Sequence, residues 1–167
     1  MASRPDVSFL RQVPLFKDVD EPTLRALWPR LRERRVKKGE VLFRTNDPGD
    51  EMFLIFSGSV VVSKPVTGRV EQVLKHMTAG DVFGEMCVFG DEQTRSATIQ
   101  ADTDAALLGL HRDDLNRFIE ANPRAAAKFF LEMARASFRR LRDTSDLVAE
   151  VTRWGLEATG LDVEHNK

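Results

Sequence analysis

Between Val36 and Leu110 a turn signal interrupts the chain roughly every ten residues. The signals are Gly39, Asn46-Asp47-Pro48-Gly49, Gly58, Thr67-Gly68, Ala79-Gly80 and Gly90-Asp91. The segments they separate are short, apolar and often β-branched: "EVLFR", "EMFLIFSGSVVVS", "VEQVLKHM", "SATIQA" and "AALLGLH". Such runs suit pleated, partly buried strands, and glycine and proline punctuate them by their special backbone geometry. No long helical pattern lies between them to carry a parallel crossover. A small antiparallel barrel or roll is therefore expected over residues 36–110.

Helical spacing flanks this region. In residues 8–35, "DEPTLRALWPRLRERR" offers Asp20 as an N-cap, Pro22 in the first turn, and Leu24, Leu27, Trp28 and Leu31 on one face; Pro29 should end or kink the run. The stretch 30–38, "RLRERRVKK", holds six basic side chains against Glu33 and reads as a solvated helix end rather than a membrane or acidic-partner contact. After Leu110, residues 111–121 form a short helix. Asn122-Pro123 then caps a long one over residues 123–154. Along it Phe130, Ala134, Ser137, Leu141, Thr144, Val148 and Val151 recur at spacings of three and four, a heptad-like seam, polar at Ser137 and Thr144, that favours a homodimer over a helix packed on the open face of the roll. Residues 155–167, with Gly155 and Gly160, should fray.

Composition narrows the function classes. A length of 167 residues suits one domain with an appended helix, and a net charge of -1 makes no overall case for nucleic acid. One cysteine, Cys87, excludes an internal disulfide framework, and His76, His111 and His165 have no metal-ligand spacing with it or each other. No apolar run approaches a bilayer span and "MASRPDVSFL" lacks a signal-peptide core, so a cytoplasmic protein is expected. There is no nucleophile elbow, and no base is paired to a nucleophile by any motif.

The chemistry concentrates in "FGEMCVFGDEQTRSAT", residues 83–98. Arg95 offers a planar, permanently charged fork that matches two oxygens of a phosphate. Glu85, acceptor-only when ionised, suits a hydroxyl or amide. Gly84 lets backbone approach closely, the N–H groups of Glu85, Met86 and Cys87 suit an anion, and Ser96 and Ala97 are small enough to leave theirs accessible. A ligand with an anionic end and a hydroxylated end, such as a ribose phosphate, fits this set. For the pair alone, a surface salt bridge between Glu85 and Arg95 is the plainer explanation.

The longer pattern favours the ligand. From Val13 to Asn122 the chain resembles the cyclic nucleotide-binding domain of catabolite-activator-type regulators, kinase regulatory subunits and nucleotide-gated channels. "VPLFKDVDEPTLRAL" is similar to that family's leading helices and "VKKGEVLFRTNDPGDEMFLIFSGSVVV" to its first strands. "LKHMTAGDVFGEMCVFGDEQTRSATIQA" is similar to its phosphate-binding cassette, and "LLGLHRDDLNRFIEANP" to the segment leading to its lid helix. The resemblance implies a mainly β fold: a β-roll of the jelly-roll type with N-terminal helices and a long C-terminal lid helix. It implies that Arg95 meets the cyclic phosphate and Glu85 the ribose 2′-hydroxyl, with Phe83, Gly84, Met86, Cys87, Ser96 and Ala97 completing the cradle. Cys87 stands where many relatives carry alanine, and Asn46 where glycine is usual. In this family a hydroxyl after the arginine, as at Ser96, can favour the guanine base, but bacterial adenosine-specific relatives also carry serine there, so the resemblance implies cAMP ahead of cGMP. Arg135, Ser137 and Arg139 on the lid read as solvated rather than as base contacts. No cofactor or metal is expected, and no enzyme activity. Too few residues follow Trp154 in this sequence for a winged-helix DNA reader, so the expectation is output through a protein partner, or else a sequence that is part of a longer chain. The alternative is a scaffold of the same fold that does not use a nucleotide.

Overall fold

The computed structural model describes residues 6–67, 70–90 and 93–159; Gly68, Asp91, His165 and the tail beyond Thr159 lie outside them. The chain falls into two compact units that divide between Phe129 and Phe130.

The first unit opens with helix α1, Val7–Gln12, capped by the Asp6 carboxylate accepting from Ser8 N. A 3-10 turn, Pro14–Phe16, leads to α2, Glu21–Leu27, where Asp20 accepts from Thr23 N at 3.0 Å. Proline ends α2 as expected: Pro29 sits in a second 3-10 turn, Trp28–Arg30. Eight strands follow. They are β1 Arg32–Val36, β2 Val41–Phe43, β3 Glu51–Ser57, β4 Ser59–Thr67, β5 Val70–Thr78, β6 Val82–Phe83, β7 Thr98–Ala101 and β8 Ala105–His111. A single helical turn, α3 Met86–Phe89, lies between β6 and β7. Helix α4, Arg112–Ala121, closes the strands, and α5 begins at Pro123.

The strands form two antiparallel four-stranded sheets, β1-β8-β3-β6 and β2-β7-β4-β5, the β-roll expected from the sequence. Phe53 and Ile55 of β3, Val60 of β4, Met77 of β5, Phe83 of β6, Ile99 of β7 and Leu107 of β8 fill the space between them. The other face of the first sheet is covered as well. Met52, Leu54, Leu108 and Leu110 line a small apolar cavity with Leu15, Phe16 and Leu31. Burial on both faces explains why β3 reads as the unbroken run "MFLI" instead of alternating. Phe56, at the end of that run, is only half-buried and meets Phe9 edge-on at 4.9 Å.

Two expectations need correction. Residues 32–35, read as the end of the helical segment, belong to strand β1, paired antiparallel with β8 from Arg32↔Gly109 to Val36↔Ala105. Strand β1 is an edge strand whose first four side chains are exposed, so only Val36 carries an apolar signal. Backbone pairing alone makes it a strand, and a charged edge also discourages pairing with other chains. The second concerns the C-terminus: α5 extends through Gly155 to Thr159, with the Thr159 hydroxyl donating to Gly155 O at 2.9 Å, so residues 155–159 are helical and not frayed.

Gly58, between β3 and β4, has φ of +81°, and a Cβ there would lie 2.3 Å from Asp104 O. Strain and overlap each cost about 1–3 kcal/mol. Gly58→Ala is therefore expected to lower unfolding free energy by at least about 2 kcal/mol, read as a shift in the urea midpoint at constant m-value. An unchanged midpoint would contradict this account of the turn.

Candidate functional site

Backbone pairing between distant segments places Arg95. The turn after β2 bends at Asn46, whose φ of 72° is the only positive value among described non-glycine residues; asparagine tolerates that conformation well. Arg44 N donates to the Asp47 carboxylate at 2.7 Å, tying the turn to itself. The turn is strapped to the far side of the cassette by Asn46 N to Arg95 O and Arg95 N to Asp47 O, both 2.8 Å, and by Gly49 N to Gln93 O at 3.0 Å. The backbone of Arg95 is thus clamped on both sides.

Its side chain turns inward and is only 6% exposed. Nη1 donates to Glu51 O at 2.6 Å, to Cys87 Sγ at 3.0 Å and, at 3.4 Å, to Gly84 O. The guanidinium carbon stands 4.0 Å from the centre of the Phe43 ring and 5.7 Å from that of Phe53, within cation–π range. Carbonyl, thiol and ring orient the guanidinium without cancelling its charge. Nε is buried with no hydrogen-bond partner. Burying a polar group this way is costly unless function or a ligand supplies the missing interaction.

Two glycines make room for it. A Cβ on Gly49 would lie 2.3 Å from Arg95 Nε, and one on Gly84, where φ is +75°, would lie 2.7 Å from Nη1. At Gly84 the close approach is to a protein cation. Cys87 lies beneath: 1% exposed, its thiol donates to Gly84 O at 3.0 Å. Burial pushes the Cys87 thiol above its ordinary pKa, although the neighbouring Arg95 and Arg112 pull the other way. A protonated, covered thiol is a packing and hydrogen-bonding group, not a nucleophile.

The other sequence-selected residues fall around this centre. Phe83 is buried and stacks on Phe53 at 5.4 Å, and Glu85, 7% exposed, immediately precedes α3. Met86 is 59% exposed, Ser96 exposed and Ala97 half-buried. Reading the sequence missed Phe43, Glu51 and Arg112, and took Gly49 only as a turn residue. Phe43 packs against the core from β2, where the unbroken apolar run "VLF" does not single it out from its neighbours; Glu51 contributes through its main-chain carbonyl, which no sequence pattern marks. Among the described residues no group of His, Cys, Asp or Glu side chains is placed to hold a metal, and no helix is long and apolar enough to cross a membrane.

The sequence profile of the cyclic nucleotide-binding domain matches residues 33–122, over half of the chain. The chain belongs to the cyclic nucleotide-binding domain family. Its relatives are varied in their architecture. It is 38% identical over 117 residues to a cyclic nucleotide-gated potassium channel of Mesorhizobium japonicum, covering 70% of this chain and 31% of the channel. The chain thus spans about a third of that relative's length. Among solved structures it resembles the N-terminal domain of a transcriptional regulator from Streptomyces coelicolor A3(2), with 31% identity and a TM-score of 0.68, covering 86% of this chain and 95% of that one. It also resembles the regulatory domain of Toxoplasma gondii PKA, solved with cAMP: 30% identity, TM-score 0.61, covering 67% of this chain and 42% of that one.

Gly49 has no positive φ, so an alanine there is acceptable to the backbone and its cost comes from Arg95. Gly49→Ala is expected to destabilise the protein by about 1–3 kcal/mol in the native background and by much less when combined with Arg95→Ala. Equal costs in both backgrounds would show that Gly49 serves the turn alone.

Proposed function

We propose that this cyclic nucleotide-binding domain is a sensor that takes cAMP, ahead of cGMP, in the cassette built on Arg95 and Glu85. The observation that supports it best is the buried guanidinium of Arg95, held by neutral groups and left with an unpartnered Nε inside the family's cassette sequence. An anionic phosphate supplies what that guanidinium lacks, by charge-assisted hydrogen bonding. Glu85, at the start of α3, takes the ribose 2′-hydroxyl, and backbone around Gly84, Met86, Cys87, Ser96 and Ala97 completes the cradle. No bond is made or broken. The relative solved with cAMP supports the preference for that nucleotide, and a serine at position 96 is compatible with it.

In this reading, ligand shifts a pre-existing equilibrium of the helices that follow the roll. Output passes to a second copy of the chain and to a protein partner. The second unit supports the first of these. Its helix exposes Phe138, Leu141, Val148, Val151 and Trp154 at 70, 64, 60, 55 and 57%, an apolar stripe near heptad spacing that a partner helix would cover. Leu141, Val148 and Val151 belong to the seam read from the sequence; Phe138 adds to it, while Thr144 bonds its own helix at Arg140 O, 2.9 Å away.

Calorimetric titration with cAMP and cGMP tests the assignment. The native protein should bind cAMP more tightly than cGMP. Arg95→Ala should lose about 2–5 kcal/mol of binding free energy, as for a buried charged partner removed, and Glu85→Ala less. Native-like affinity in Arg95→Ala would overturn the site. Binding of neither nucleotide by protein freed of copurified ligand would make the roll a scaffold.

A further inference from the structure

Arg112 occupies a position that stability alone does not explain. It is the first residue of α4, where the helix dipole disfavours a positive charge and where Asp113 and Asp114 are the complementary residues. Its side chain is not extended into water to escape that field. Nη2 donates to Cys87 O, and Nε is buried without a partner. An aliphatic side chain would avoid both costs, and rules broken locally tend to mark function.

What Arg112 holds gives the cost a purpose. Helix α3 has only four residues: Glu85 O accepts from Val88 N and Phe89 N, and Met86 O from Gly90 N. Cys87 O comes next in order, one of the end carbonyls a helix cannot satisfy itself. Arg112 takes it. The thiol of the same residue accepts from Arg95 Nη1 at 3.0 Å. Cys87 therefore sits between two arginines, its sulfur on the one in the cassette and its carbonyl on the one at the root of α4. The backbone closes the loop. Arg112 N donates to Asp50 O at 2.8 Å, one residue before the Glu51 carbonyl that holds Arg95 at 2.6 Å. One strand end and one helical turn thus bind Arg95 and Arg112 into a single contact network.

We propose that Arg112 is the positioning residue that couples occupancy of the cassette to helix α4, acting through Cys87 and touching no ligand itself. The inference rests on the nucleotide-binding reading of the Arg95 site. An anion that draws on the Arg95 guanidinium displaces α3 through the Cys87 thiol. The displacement reaches the first turn of α4 because the Cys87 carbonyl is held by Arg112. Without the Arg112 guanidinium the cassette still binds, but α4 no longer responds.

Amide hydrogen exchange on the full chain, with and without saturating cAMP, tests this after calorimetry has established binding. In the native protein cAMP should change exchange in both α3 and α4. Arg112→Met keeps the length of the side chain and removes its donors; it should bind cAMP within about tenfold of native, keep the α3 response and lose that of α4. Arg112→Lys, whose ammonium can still donate to Cys87 O, should restore the α4 response, which a purely space-filling role would not require. Arg112→Gln, too short to reach that carbonyl, replaces the methionine variant if that one does not fold. An α4 response that survives in Arg112→Met or Arg112→Gln overturns the coupling role, as does a native protein that binds cAMP with α4 silent. Failure of the native protein to bind nucleotide in the calorimeter is a different result, and removes the underlying site as well.

Discussion

A guanidinium withdrawn this far from water has to be held from several directions, and the roll supplies those directions from segments far apart in sequence. The charge of Arg95 cannot be neutralised by deprotonation, so its surroundings have to accept it. The carbonyl of Glu51 comes from the start of β3, that of Gly84 and the thiol of Cys87 from the cassette, and the ring of Phe43 from β2. The turn at Asn46–Gly49 exists in this shape because its backbone pairs with Gln93 and Arg95. Glycine is required at 49 and 84 because the guanidinium fills the space a side chain would use. Each of these features looks like an independent turn or strand signal in the sequence; in the structure they share one cause.

The two sheets carry this arrangement because their core is independent of it. The space between the sheets is closed by apolar side chains from all eight strands, and the second face of β3 and β8 is covered by Leu15, Phe16 and Leu31. Phe53 belongs to both systems: it packs in the core and stacks on Phe83 while lying within reach of the Arg95 guanidinium. The cassette is in this way attached to a rigid wall on one side. On its other side, the exposed Met86 and Ser96 mark where it meets solvent.

Much of this was legible from residue types. Turn residues at regular intervals gave away the all-antiparallel roll, whereas Arg95 and Glu85 were singled out by the family pattern around them, since the pair alone reads more plainly as a surface salt bridge. Asn46 stands out in the sequence as a replacement for the usual glycine, and its φ of 72° lies in the left-handed region that glycine favours. What escaped did so for identifiable reasons. Strand β1 is defined by backbone hydrogen bonds to β8, and "RERR" at a sheet edge has no apolar alternation to reveal it. Arg112 sits in a helical pattern where an arginine is ordinary, and only the three-dimensional approach of α3 gives it a partner. Glu51 acts through its main chain, to which sequence is blind. Gly49 carried a turn signal strong enough to hide its second role, the clearance for Arg95.

Cys87 illustrates how binding and response are balanced at such a site. An alanine in place of Cys87 would fill much of the same small volume without a hydrogen bond to the arginine. A thiol is a weak acceptor and a weak donor, and here it does both, accepting from Arg95 Nη1 and donating to Gly84 O. The strong contact, at 2.6 Å to Glu51 O, is made by main chain that belongs to the strand. Orientation of the guanidinium therefore comes from a strand of the roll, while its tie to the helical turn α3 is a soft one. A ligand can shift an equilibrium only by the difference in its affinity for the two states. In the proposed sensor, weak bonds at the α3 end would leave little to be given up if α3 shifted, so most of the interaction free energy between Arg95 and an anion would be kept as affinity.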